Sequence, residues 1–299
     1  METRNKVFTK VNMLYLYSLL ILLITRFVIN RIFENYIEEG ILLPLSLAFA
    51  LFASYFPFFV ENNFGSDFVE RPIHKELSKK DFLKFLVIVL FVNVLSHFLA
   101  SALEDSFRRF GFSILANKGQ SLNLISIMLL ALYALVFAPI FEELVFRDFI
   151  LRRLKVFGNF FAVIVSSLLF AFVHSNVAQF IPSFLLGLIL GYAYLQSGSI
   201  KTVIYLHIIN NLYSLIFNEI IYRFLNNNAI GVYMTVELVI LAILAIYSLY
   251  LLIKDKESEI KTFPQGKINY RMYFFRITSF VIIIVGVINM VLSVRKVGG

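Results

Sequence analysis

The chain has 299 residues, of which 60% are hydrophobic and 15% are charged, with a mean hydropathy of +0.83. Soluble domains are about 45–50% apolar and about 25% charged, so this composition excludes a water-soluble enzyme, a secreted disulfide scaffold and a disordered chain. The formal net charge of +8 would suggest nucleic-acid binding in a soluble protein, but here Lys and Arg lie in short loops between apolar runs. We therefore expect an integral membrane protein that contacts lipid and has no nucleic-acid partner. The absence of cysteine excludes disulfides, thiolate metal sites and a cysteine nucleophile.

Nine apolar runs approach the length of about 20 residues that crosses a bilayer. They cover 11–29, 41–60, 82–103, 122–150, 159–174, 180–195, 200–225, 231–253 and 272–294. The fifth and sixth runs are short, and the polar segment 175–179, followed by Pro182, could be a tight turn or a break inside one irregular unit. The sequence therefore predicts an all-α polytopic membrane helix bundle of eight or nine transmembrane helices. The first run is too long for a cleavable signal and has no small-residue cleavage site before Arg31, so we expect it to remain as an anchor.

Basic residues are divided unequally between the two sides that nine spans create. Sixteen Lys and Arg lie in loops on the side of the N-terminus, and the opposite side holds seven, namely Arg31, Arg108, Arg109, Lys118, Arg223, Arg295 and Lys296. Since cytoplasmic loops are rich in Lys and Arg, we expect a cytoplasmic N-terminus and an outer C-terminal tail. We divide the chain into N-terminal transmembrane helices (1–121), a central core (122–225) and C-terminal transmembrane helices (226–299). The abundance of Ile, Phe, Lys and Asn suggests a bacterial cell membrane.

The fourth run carries two adjacent carboxylates and a guanidinium. A charged side chain in the bilayer costs at least about 2.5–3.5 kcal/mol on insertion scales, so each must face a partner, water or a functional site. Glu143 and Arg147 are four residues apart with the acid first, the order that favours a helical ion pair. Glu142 points about 100° away and has no partner nearby in the sequence. Pro139 is expected to free the carbonyl of Leu135 and to kink the helix.

Two histidines lie in later runs, each with a companion four residues away. Phe170 and His174 share one helical face, and His207 and Asn211 share another. The helical rise places Glu142, His174 and His207 about 15, 20 and 10 Å from the cytoplasmic ends of their helices, within the middle of a core about 30 Å thick. A lone intramembrane His is often a packing residue, and Asn211 could simply bond between helices. Three such motifs at one depth favour a shared site.

The other polar residues of the apolar runs do not form such motifs. We interpret them as packing or interface residues, namely Asn93, His97, Glu219, Glu237, Arg276 and Asn289. Gly187 and Gly191 form a GxxxG pattern, which predicts a close helix contact and not a phosphate loop, because no strand precedes it. HExxH, GxSxG, Walker A and paired catalytic aspartates are absent.

The three motifs, in this order, resemble those of the CPBP family of intramembrane proteases. This family includes the type II CAAX prenyl endopeptidases and the bacterial bacteriocin-processing and immunity proteins called Abi. The motifs are EExxxR (Glu142, Glu143, Arg147), FxxxH (Phe170, His174) and HxxxN (His207, Asn211), and the resemblance covers about residues 120–220. Asp148 departs from the family, which commonly has Gly there. The departure affects the turn after Arg147 and leaves the motif residues intact.

The resemblance implies hydrolysis of a peptide bond in a membrane-associated peptide or protein. Glu142, assisted by His174, would act as general base toward a water molecule. His207 and Asn211 would stabilise the oxyanion. The supporting pair, Glu143 and Arg147, would hold the fourth helix in register.

A zinc ion is the open question of this mechanism. Glu142, His174 and His207 could bind zinc with a vacant position, and members of the family have been described as metalloproteases. We favour the metal-free glutamic mechanism, because the three residues come from separate helices and no acidic partner is visible near either His, as zinc-bound His would require.

Two other functional classes compete with the protease. The leading alternative is a noncatalytic membrane scaffold or immunity factor that binds a peptide or a membrane partner, which would permit the loss of at least one motif residue; all are intact. A transporter with Glu142 and His174 as a proton relay would predict two related halves with paired half-helices, which the sequence lacks. Prenylated CAAX ends, peptide pheromones and bacteriocin leaders all remain as substrates.

Overall fold

The computed structural model describes residues 2–64, 76–115, 123–217, 224, 227–254 and 276–297, and nearly all of them are helical. The helices of these ranges are α1 (Glu2–Phe33), α2 (Glu39–Phe64), α3 (Lys79–Arg109), α4 (Leu124–Phe157), α5 (Asn159–Val173), α6 (Val177–Ser197), α7 (Ile200–Ser214), α8 (Asn227–Lys254) and α9 (Ile277–Ser293). Two short strands are β1 (Phe112–Ser113) and β2 (Arg295–Lys296). The domain boundaries predicted at 121/122 and 225/226, and Glu219, lie outside the described residues.

The predicted membrane bundle is confirmed. Seven helices in the described part of the chain are long and apolar enough to cross a membrane, with α7 counted through its extension to Phe217. The helices α5 and α9, with 15 and 17 residues, are apolar but shorter. Each of the nine predicted runs therefore corresponds to a helix, and the chain is an integral membrane protein.

The polar segment 175–179 begins with a tight turn between α5 and α6, and its last three residues form the start of α6. Ser175 adopts a left-handed conformation with φ of 54° two residues after the end of α5. The side chain of Asn176 accepts the backbone N–H of Gln179 at 2.8 Å and caps the N-terminus of α6. Pro182 lies inside α6, near its beginning. The segment thus separates two helices and does not interrupt a single one.

The helix α4 contains two π-helical stretches. π-helical turns occupy Tyr133–Phe137 and Leu144–Leu151, on both sides of the regular α-helical segment Ala138–Glu143. Single π-helical turns inside α-helices are frequent at functional sites. Here they flank the segment that carries both motif carboxylates.

Pro139 has no N–H, so one backbone carbonyl earlier in α4 lacks its usual hydrogen-bond donor. Which carbonyl this is depends on the register of the first π-helical turn. The N–H of Ala138 donates to the carbonyl of Tyr133, five residues earlier. In this register the next donor would be Pro139, which has no N–H to offer to the carbonyl of Ala134. The expectation of Leu135 assumed a regular α-helical register, which the chain does not have at this point.

The GxxxG pattern of α6 is a close helix contact, as predicted. A Cβ added at Gly187 would lie 2.9 Å from Cβ of Ser167 on α5. A Cβ added at Gly191 would lie 3.2 Å from the side chains of Leu151 and Val163. The two glycines therefore allow α6 to approach α4 and α5, which together carry the first two motifs.

A small β-pairing joins the connection after α3 to the end of α9. β1 and β2 are antiparallel, with Ser113 opposite Arg295. The buried carboxylate of Glu104 supports this connection by accepting hydrogen bonds from the Ser113 hydroxyl at 2.7 Å and the Ile114 N–H at 2.8 Å. The ends of α3 and α9 therefore lie on one side of the bundle.

Candidate active site

Glu142 lies in the α-helical segment of α4 and faces a cavity. The side chain is buried, with the residue 7% exposed, and the cavity has a volume of about 30 Å³, which is room for a water molecule. Most of the wall is apolar and comes from α1, α2, α4 and the end of α5, namely Tyr15, Ser18, Leu19, Leu22, Leu51, Ser54, Phe58, Phe141, Val145, Phe146 and Val173. Within the described part of the chain no side chain donates a hydrogen bond to Glu142, since Nε2 of His207 lies 3.7 Å from Oε2. The carboxylate is therefore available to a molecule in the cavity.

His207 is held in place by a carboxylate from another helix. Its Nδ1 lies 2.8 Å from Oε1 of Glu143, and both side chains are buried. Because an ionised carboxylate only accepts hydrogen bonds, Nδ1 carries the hydrogen, and the ring presents Nε2 toward Glu142. The expectation that only apolar or amide groups surround His207 is therefore wrong, because Glu143 is 64 residues away in sequence.

Arg147 shares the carboxylate of Glu143 with His207. Its Nε lies 3.1 Å from Oε2 of Glu143, so the predicted ion pair is confirmed. Its Nη2 donates to the carbonyl of Gly187 at 3.3 Å, and the guanidinium carbon lies 4.8 Å from the centre of the Phe170 ring. One buried cation thus links α4 to both α5 and α6.

His174 follows the last residue of α5, and its ring folds back onto that helix. Nδ1 lies 3.0 Å from the carbonyl oxygen of Phe170. A carbonyl only accepts, so Nδ1 carries the hydrogen and Nε2 keeps its lone pair. The ring of Phe170 has edge-to-face contacts with both histidines, at centroid distances of 5.0 Å to His174 and 5.9 Å to His207. The second motif therefore brings the two imidazoles against one aromatic ring.

Asn211 contacts the irregular part of α4. Its Nδ2 donates to the carbonyl of Ala134 at 2.8 Å, the carbonyl that the π-helical register and Pro139 leave without a backbone donor. Its Oδ1 accepts from Asn210 at 3.1 Å, and Oδ1 of Asn210 accepts from Asn93 of α3 at 2.9 Å. Asn93 is thus an interhelical contact, as interpreted from the sequence. One amide hydrogen of Asn211 stabilises the π-helical turn, and the oxyanion role remains a prediction for the other.

Asp148, where the family commonly has Gly, makes a contact between α4 and α6. Its Oδ1 accepts from the hydroxyl of Tyr194 at 3.3 Å. Its Oδ2 lies 3.8 Å from Nη2 of Arg152. The carboxylate thus has partners on both helices and leaves the motif residues in position.

The possible metal ligands of the site are Glu142, His174 and His207. Among the described residues there is no group of three or more His, Asp or Glu side chains placed to hold a metal ion. Nδ1 of each site histidine is already bonded, so His174 and His207 have only Nε2 to offer. The Glu143 contact of His207 nevertheless resembles the carboxylate contact of zinc-bound histidines, which removes one of the arguments against zinc. No step below uses a metal.

The structure brings some of the sequence-predicted site residues together and adds contacts that the sequence did not reveal. Glu142 and His207 lie close together, and both imidazoles contact Phe170. The missed contacts are the Glu143–His207 bond and the wall that α1 supplies to the cavity. No sequence spacing could show them, because each joins distant parts of the chain.

Residues 123–213 match the family model described as type II CAAX prenyl endopeptidase Rce1-like. The matched segment is less than a third of the chain and contains all three motifs, and it confirms the resemblance to the CPBP family of proteases. No curated protein and no solved structure matches this chain significantly.

Proposed function

We propose that this protein is an intramembrane endopeptidase that hydrolyses a peptide bond of a membrane-associated peptide or protein with a glutamate-activated water. The observation that carries the proposal is Glu142, a buried carboxylate at the wall of a cavity that accepts no hydrogen bond from the described residues. The family match supports a protease role.

In the proposed reaction each polar side chain of the site either accepts or donates a proton or a hydrogen bond. A water molecule in the cavity gives a proton to Glu142, while the lone pair on Nε2 of His174 accepts the other hydrogen and orients the water. The water oxygen attacks the peptide carbonyl carbon. The oxyanion accepts from Nε2–H of His207 in its doubly protonated form, whose charge Glu143 offsets, and from the second amide hydrogen of Asn211. Glu142 then passes its proton to the leaving nitrogen, which breaks the C–N bond and restores the carboxylate.

The test uses the full chain in liposomes and a quenched-fluorescent CAAX peptide, with and without a farnesyl group. Glu142→Gln, His174→Ala and His207→Ala should each lower the cleavage rate on the order of 100-fold or more, because each removes a group at the reacting centre. Matched controls are Glu39→Gln, an exposed carboxylate of α2, and His97→Ala in α3, which should keep the wild-type rate.

Retention of more than about a tenth of the wild-type rate in any of the three variants would refute the role assigned to that residue. Cleavage at only the background rate of protein-free liposomes, in the wild type and in every variant, would favour the noncatalytic scaffold. A chelator should leave the activity unchanged; loss on chelation that added zinc reverses would establish the zinc alternative.

We also propose nine crossings with the N-terminus in the cytoplasm of a bacterial cell, supported by the basic residues of the loops. The pairing of β1 with β2 agrees with this number, because six helices of the described ranges separate the two strands and an even number of crossings returns the chain to the same side. Reporter fusions at Lys10 and Gly299 should report opposite sides. Signals from the same side would mean that 159–195 does not form two spans.

A further inference from the structure

A carboxylate surrounded by aromatic rings lies between α7 and α8, outside the site described above. The hydroxyls of Tyr213 and Tyr233 both donate to Oε1 of Glu237, the latter at 3.2 Å. The ring of Phe217 lies 4.3 Å from that of Tyr213 and stacks on that of Tyr233 at 6.1 Å. These four residues are called the Glu237 cluster. The sequence alone indicated only a packing role for Glu237.

The Glu237 cluster carries a negative charge that the described residues do not compensate. Oε2 of Glu237 is buried and has no hydrogen-bond partner. In the described ranges no Lys, Arg or His forms an ion pair with this carboxylate. An unpaired carboxylate in a transmembrane helix is costly, and such residues usually face a partner or a functional cavity.

A cavity of about 260 Å³ adjoins the cluster. Its wall consists of Tyr213, Tyr233, Val236, Glu237, Ile240 and Leu241. Val236 and Ile240 are also half-exposed on the outer face of the bundle, where they meet lipid. Small-molecule sites usually have apolar walls with a few polar groups and volumes of about 300–1,000 Å³. This cavity has such a wall, and its volume lies just below that range, which suits a small ligand.

We propose that the Glu237 cluster binds the ammonium group of an amphiphilic organic cation, which is either the amine of a lipid headgroup or a free alkylamine. The carboxylate attracts the charge, and the two tyrosine rings add cation–π attraction. Glu237 lies ten residues into α8, about 15 Å along the helix, so the ligand must bring its own apolar surface into the membrane. Val236 and Ile240 then contact its alkyl part.

The test compares two ligands of the same shape and different charge. The full chain is placed in nanodiscs of phosphatidylglycerol, and thermal unfolding is followed with hexyltrimethylammonium or with its neutral carbon isostere, 2,2-dimethyloctane. A ligand that binds the folded state raises the unfolding temperature. The cation should bind at least about tenfold more tightly than the isostere, because only the cation meets the carboxylate. Equal binding of the two ligands would overturn the proposal.

Variants locate the binding. Glu237→Gln should weaken cation binding at least about tenfold, and Thr235→Ala, an exposed control on the same helix, should not change it. Wild-type affinity in Glu237→Gln would overturn the proposal. If Glu237→Gln does not fold, Glu237→Asp keeps the charge and should still prefer the cation, and loss of that preference would also overturn it.

The lipid composition distinguishes the two sources of the ammonium group. In nanodiscs that contain phosphatidylethanolamine, a lipid ligand already occupies the site and should weaken the apparent binding of hexyltrimethylammonium several-fold. Unchanged binding supports the site for a free alkylamine.

Discussion

The carboxylate of Glu143 pairs with Arg147 and also positions His207, and replacement of Glu143 by Gln disturbs both contacts. Oε1 holds Nδ1 of His207 at 2.8 Å and Oε2 lies 3.1 Å from Nε of Arg147, and the three side chains are 0%, 4% and 1% exposed. A glutamine has only one acceptor oxygen, so its NH₂ group faces one of the two donors. Removal of one partner from a buried ion pair costs about 3–5 kcal/mol. The expected loss is therefore a large part of a total stability of about 5–15 kcal/mol.

The double variant Glu143→Leu with Arg147→Met removes both charges and keeps similar volumes. Such replacements of a buried ion pair are often neutral or stabilising by about 1–4 kcal/mol, whereas the buried Nδ1 of His207 loses its acceptor at a cost of about 1–3 kcal/mol. The stability should therefore return to near the wild-type value and clearly exceed that of Glu143→Gln. The activity should not return, because Nδ1 of His207 no longer has an acceptor that orients the ring. We expect a cleavage rate on the order of 100-fold below that of the wild type.

The assay combines denaturant unfolding in micelles with the peptide cleavage rate in liposomes. If the double variant regains stability and activity together, Glu143 serves Arg147 alone, and its role in positioning His207 is refuted. A loss of less than about 1 kcal/mol in Glu143→Gln would refute the buried ion pair itself, since exposed pairs contribute that amount.

The close approach at Gly187 gives a further prediction: Gly187→Ala should cost about 1–3 kcal/mol of unfolding free energy because its Cβ would lie 2.9 Å from that of Ser167. The added variant Ser167→Gly should recover most of the loss in the same unfolding assay, and a double variant no better than the single one would contradict this account. Asn211→Ala should cost about 1–3 kcal/mol because the carbonyl of Ala134 loses its donor, and unchanged stability would show that the bond is dispensable.

The number and positions of the helices follow largely from the apolar runs, because a membrane-spanning helix needs a continuous stretch of apolar residues. The runs located each helix, and the polar segment 175–179 marked the turn. The winding of α4 was not predictable, since its π-helical turns depend on contacts with other helices. The bond from Asn211 to Ala134 is one such contact. The predicted end at 150 was also too early, because the helix continues to Phe157.

The site was predictable within each helix and less so between helices. The spacing of Glu143 and Arg147 indicated their ion pair, because residues four apart share a helical face. The bond between Glu143 and His207 depends on how α7 packs against α4, and no spacing within the chain encodes that packing. The same limit applies to Glu237, whose aromatic partners come from two helices.

The cavity beside Glu142 joins two parts of the chain with different freedom to change. Its wall includes Tyr15, Ser18 and Leu19 of α1, which lie before the matched segment 123–213. The hydroxyl of Tyr15 bonds to the backbone carbonyl of Leu169 at 2.8 Å, so α1 is attached to a group that every sequence provides at that position. This bond therefore tolerates any side chain at position 169 but requires the hydroxyl of Tyr15. A single residue of α1 thus ties a wall of the cavity that lies outside the matched segment to the helix that precedes His174.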